Sequence, residues 1–136
     1  MSSISFYVLV SLAAWTLALL VLMEVLRTQL VLSKTVRANA FRPDNANLSP
    51  FMQRLARAHA NCVESLPVFA TLLVAALLAG KTVLTDPLAP WLLAARVVQS
   101  SVHLASLSVA AVSLRFAAFA VQIVIAVYWS AALLRV

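Results

Sequence analysis

The sequence predicts an all-α membrane protein, a bundle of four transmembrane helices with both termini on the outer side of the bilayer. Three observations predict it. Of 136 residues, 64% are hydrophobic and only 10% charged, with mean hydropathy +1.01; a soluble domain of this size has too little interior to hide so much apolar surface. The apolar residues form long Leu-, Ala- and Val-rich runs in a chain with one glycine, not the alternating ten-residue segments of a membrane barrel. The basic residues flank those runs, so the formal net charge of +6 reads as the positive-inside pattern of cytoplasmic loops and not as a nucleic-acid surface.

The helices follow in order, each near or above the ~20 residues a bilayer requires. The first is expected over about residues 5–32. It starts without a basic segment and has full spanning length, so it reads as a span and not as a cleaved signal. The second is expected over 49–79, with Ser49 as its N-cap and Pro50 in its first turn, where the missing N–H costs nothing. Gly80-Lys81 ends it. The third is expected over 87–107, after Asp86-Pro87, and the fourth over 113–134. Residues 88–134 carry only Arg96 and Arg115 as charges and have no strong turn signal near 106–113. Two helices are still required, because one helix of ~47 residues would be about 70 Å long.

Charge sets the topology. Lys34, Arg37 and Arg42 lie between helices one and two, with Arg54 and Arg57 just beyond, whereas Lys81 and Asp86 alone separate helices two and three. The first loop is therefore cytoplasmic. Tyr7, Trp91, Tyr128 and Trp129 map to the outer interface as an aromatic belt, while Trp15 falls between the interfaces and is expected to pack between helices. The Ala- and Arg-rich composition points to a bacterial inner membrane.

Polar residues inside such helices need a reason. Arg54, Arg57, Asn61 and Glu64 fall within about 80° on one face of helix two, with His59 and Cys62 pointing elsewhere. Arg96, Gln99, Ser100 and His103 share a face of helix three, and Arg115 opens helix four. A charge at the depth of Glu64 costs roughly 2.5–3.5 kcal/mol unless paired, and Arg96 or Arg115 is the expected partner. Glu24 either joins this network or pairs locally with Arg27 or Thr28. Two readings stay open: a clamp that holds helices together, or a cavity whose surplus of arginine invites an anion with several carboxylates. No phosphate loop, paired-His or paired-Cys metal spacing, or Ser-His-Asp set is present.

The stretch Arg54-Leu-Ala-Arg57-Ala-His59-Ala-Asn61-Cys-Val-Glu64-Ser-Leu-Pro67-Val-Phe69 closely resembles the signature of the MAPEG family, the membrane-associated proteins of eicosanoid and glutathione metabolism. Ala40-Phe41 with Pro43-Asp44, the segment Arg96-Val-Val-Gln-Ser-Ser-Val-His103, and Arg115-Phe116 extend the likeness over nearly the whole chain. The resemblance implies a single domain over 1–136 that assembles as a homotrimer. It implies glutathione as co-substrate, bound between neighbouring subunits on the cytoplasmic side. Asn61 and Glu64 would then contact the tripeptide, Glu64 at its amino group, with Arg57 and Arg37 or Lys34 at its carboxylates and Arg96, Gln99 and His103 nearby. Arg115 would match the arginine that stabilises the thiolate. Ala60 stands where eukaryotic members often carry arginine, and His103 and Gln99 where they tend to carry Tyr and His.

The implied activity is that of a glutathione-dependent transferase or peroxidase acting on a hydrophobic electrophile or lipid hydroperoxide that enters from the bilayer. The alternative is a non-catalytic relative whose polar cluster is a trimer clamp or a site for a lipid headgroup.

Overall fold

The computed structural model describes residues 2–136 and is helical throughout its ordered elements. Helix α1 spans Ile4–Leu32, α2 Pro50–Leu78, α3 Ala89–Ala105 and α4 Val109–Leu133, with a short 3-10 turn at Thr82–Leu84 before α3. Among the described residues there is no strand.

The helix starts follow from side-chain caps. Ser3, Ser49 and Ser108 each accept a hydrogen bond from the backbone N–H three residues on, which satisfies one of the donors that every helix N-terminus leaves free. The Ser108 cap corrects one expectation. α4 begins at Val109, four residues before the expected 113, so Arg115 lies well inside the helix rather than opening it. Ser106 is extended (φ −161, ψ 154) and its Oγ accepts from Ser108 N. Two serines thus break the chain where neither Gly nor Pro does.

Three helices, α1, α2 and α4, are long and apolar enough to cross a bilayer. α3 has 17 residues, about 26 Å at 1.5 Å per residue, and is not among them. The chain is an integral membrane protein with three such helices and a fourth packed among them.

The helices run up and down. Ser5, at the start of α1, bonds Asp86 and Thr85 just ahead of α3, and Arg54, at the start of α2, donates to the Leu104 carbonyl at the end of α3. The apolar core has two parts. One is built by all four helices from Val8, Leu12, Phe69, Leu73, Leu92, Ile125 and Trp129. The other lies toward the α1–α2 loop and consists of Leu19, Met23, Met52, Leu55, Ala56 and Cys62, from α1 and α2, with Leu104 against it. The latter draws nothing from α4. Tyr7, Trp91 and Tyr128 are exposed as a belt requires, but Trp129 is 0% exposed. It belongs to the core because it continues the stripe of Ala118, Gln122, Ile125 and Ala126 that α4 buries. Trp15 is half-buried against the second cluster.

Candidate functional site

The polar residues of α2, α3 and α4 form three connected groups. In the middle of the bundle, Arg96 is 3% exposed. Its Nη2 donates to Ser65 Oγ, its Nη1 lies 4.0 Å from Cys62 Sγ, and its guanidinium sits 5.8 Å from the centre of the Phe69 ring. Cys62 Sγ is in turn 3.3 Å from Ser100 Oγ. No carboxylate takes part. Glu64 is exposed on the outside of α2, and the one ion pair among the described residues joins Arg27 to Glu24 at 3.2 Å. The expected pairing of Glu64 with Arg96 or Arg115 is therefore not made within the chain. Helical geometry explains this: Ser65 and Cys62 face the core and Arg96, while Glu64 turns about 100° away from Ser65.

The second group joins α3 to α4. Gln99 and Gln122 are 5% and 0% exposed, and Gln122 Nε2 donates to Gln99 Oε1 at 2.9 Å. This contact crosses between the two antiparallel helices. Seven residues earlier on α4, about 10 Å toward the loop end, Arg115 comes level with the end of α3, beside His103. The third group gathers there: Arg115, Arg57 and Arg54 are the cationic side chains around the buried His103 ring. Arg54 is committed to the Leu104 carbonyl at 2.9 Å, where a cation complements the helix C-terminus. Arg115 is not: its Nε is buried without a partner among the described residues.

On the outer face of α2 and α4, Asn61, Glu64, Ser65, Val68, Phe69, Phe119 and Ile123 line a shallow cavity of about 230 Å³. Arg37 stands apart in the exposed α1–α2 loop, and its side chain makes no hydrogen bond among the described residues.

The structure thus brings Arg54, Arg57, His103 and Arg115 together at the loop end, and Arg96 and Gln99 deeper in the bundle. Asn61 and Glu64 face outward, and Arg37 is separate. Sequence reasoning missed Ser65 and Gln122. Gln122 was findable, because it is the one polar side chain other than serine or tyrosine in the uncharged run 116–134, seven residues and so nearly two full turns from Arg115. Ser65 carried no such signal, since a serine commonly bonds its own helix, as Ser65 also does to the Asn61 carbonyl at 3.0 Å.

The sequence profile of the MAPEG family matches residues 5–135. The chain belongs to this family. The match spans all four helices, so the polar groups above are those of a MAPEG fold, in a family generally linked to glutathione. The chain matches no curated protein and no solved structure. No group of three or more His, Cys, Asp or Glu side chains is placed to hold a metal ion among the described residues.

Proposed function

We propose that this MAPEG protein is a glutathione-dependent transferase or peroxidase, working at the cytoplasmic end of a four-span subunit in a homotrimer. The observation that carries the reading is Arg115: a buried guanidinium nitrogen without a partner, in a cluster with Arg54, Arg57 and His103 that contains no carboxylate. A buried polar group left unbonded costs about 1–3 kcal/mol, and surplus cationic charge in an apolar setting costs more. An anionic ligand offsets both.

The residues fit such a ligand. Glutathione supplies a sulphur nucleophile, two carboxylates and one ammonium group. Arg115 provides a fixed positive charge for the sulphur; a free thiol titrates near ~8.5 and a nearby guanidinium favours its ionised form. Arginine does not give up its proton, so Arg115 acts by its charge and not as a base. Arg57 is available to a carboxylate, with Arg37 or Lys34 reaching in from a loop, whereas Arg96 and Arg54 are held by Ser65 and Leu104. Glu64, exposed and without an internal cation, suits the ammonium group. The open cavity at Asn61 and Glu64 is smaller than the ~300 Å³ at which ligand pockets begin and favours completion by a neighbouring subunit. The lipophilic electrophile reaches the sulphur laterally from the bilayer, and α3 crosses with the other helices because its polar face is covered by them.

The outward Glu64 equally suits a subunit clamp, and one experiment separates the two readings. Glutathione titrated into the detergent-purified protein should raise the thiolate absorbance to saturation. Arg115→Ala should abolish that signal while the particle mass stays that of the trimer. Absence of binding at millimolar glutathione overturns the enzyme reading, and loss of assembly in Arg115→Ala supports the clamp.

A further inference from the structure

The Gln99–Gln122 contact has a direction. Oxygen and nitrogen of a side-chain amide are told apart by their partners, and here a backbone carbonyl decides. Gln122 Nε2 donates both to the Ala118 carbonyl at 3.1 Å and to Gln99 Oε1 at 2.9 Å. A carbonyl only accepts, so the Gln122 atom beside it is the nitrogen. The Gln99 atom facing that same nitrogen is then the oxygen. Turning Gln122 over would set its oxygen against the Ala118 carbonyl and against Gln99 Oε1. The NH2 group of Gln99 is consequently turned away from α4, and it has no hydrogen-bond partner among the described residues. It lies on the α3 face that also carries Arg96 and His103.

We propose that Gln122 is a positioning residue that holds Gln99 as a hydrogen-bond donor, so that the ligand group at this level is an acceptor, for glutathione a carboxylate or the sulphur anion drawn there by the neighbouring Arg96. This gives the bound molecule a polarity: its acceptor end meets the face of α3 that carries Gln99, Arg96 and His103, on the side turned away from α4, and its ammonium end goes to Glu64 on α2. The inference rests on the glutathione reading and adds to it an orientation and a residue with no ligand contact of its own.

Gln122→Glu tests it in the full-length, detergent-purified protein. An ionised carboxylate only accepts, so Gln99 must turn its NH2 toward α4 and its oxygen toward the ligand. A protonated carboxyl has one O–H, enough to restore the bond to Gln99 Oε1 though not the second one to the Ala118 carbonyl. The probe is glutathione sulphonate, whose sulphur group stays anionic over the working range. The charged and titratable groups around the pair are Arg96 and His103 on α3, Arg115 on α4, and Arg54 and Arg57 on α2. His103 and the arginines are present in both proteins, so the wild type is the reference. At alkaline pH the variant should bind about tenfold or more weakly than the wild type, and the deficit should close as pH falls. Gln99→Met, which removes the donor, should show the deficit at every pH.

Variants that bind like the wild type throughout overturn the orientation while leaving the glutathione reading in place. A pH-independent loss in Gln122→Glu that tracks lost thermal stability assigns Gln122 to packing alone. A wild type that does not bind the probe or glutathione overturns both readings together.

Discussion

Arg96 shows how a buried charge is tolerated without a counter-charge. Its guanidinium lies in the bundle interior, held by Ser65, near Cys62 and over the Phe69 ring. Each such contact recovers part of the several kcal/mol that desolvation costs an ion. The two ends of this arrangement should respond differently to mutation. Ser65→Ala leaves the cation underpaired and should destabilise the protein by about 1–3 kcal/mol, whereas Arg96→Met, of similar length and apolar, should be nearly neutral or stabilising. Thermal unfolding in detergent compares them, and an Arg96→Met loss as large as that of Ser65→Ala would show that the charge itself supports the fold. The presence of a polar layer was legible in the spacing of Arg96, Gln99, Ser100 and His103. The partner was not, because Cys62, Glu64 and Ser65 lie within one turn of α2 and only the rotation of that helix about its axis decides which of them turns inward.

At the level of elements, the break between α3 and α4 carries the most consequence. It places Arg115 more than one turn inside α4 and so beside His103 rather than at a helix tip. The break depends on Ser108, whose Oγ accepts from Ala111 N at 3.1 Å. Ser108→Ala should cost about 0.5–2 kcal/mol, and Ser108→Gly should restore most of it, as N-cap substitutions do. Equal melting temperatures for wild type and Ser108→Ala would show that the cap does not hold the break. The sequence run 106–113 offered four helix-compatible Ala and Val residues and three serines, each serine able to cap. Choosing between them took the packing of α3 on α4, of which the Gln99–Gln122 bond is a part.

For the whole molecule, α1 is tied at both ends to other elements. At its start, Ser5 N and Oγ meet Asp86 Oδ1 at 2.8 and 2.6 Å, with Thr85 Oγ1 at 2.6 Å. Near its end, Arg27 donates to Asn45 Oδ1, and Asn45 Nδ2 donates to the Met52 carbonyl at 2.7 Å. These ties set α1 against α3 at one end and against α2 at the other. Asp86→Ala should loosen the N-terminal end alone: amide exchange should quicken over the first turns of α1, and glutathione titration should be unchanged because the cationic cluster lies at the opposite end. Slowed or unaltered exchange at Ser5 and Phe6 would show that the carboxylate does not hold that end.

The sequence by itself determined the solvent, the helix class and the family, because each is written in local terms: hydropathy over whole turns, caps within three residues, and a motif confined to α2. It also put Arg54, Arg57 and Arg115 toward one end, since successive helices that each cross a bilayer alternate in direction. Only the tertiary structure decided which polar groups meet. It buried Trp129 in the core, left Glu64 facing outward, gave Arg96 to Ser65, and joined Gln122 to Gln99. Those outcomes depend on the rotation and register of one helix against another, quantities set by packing across the bundle, to which a rotation of one residue's 100° is enough to exchange an inward side chain for an outward one.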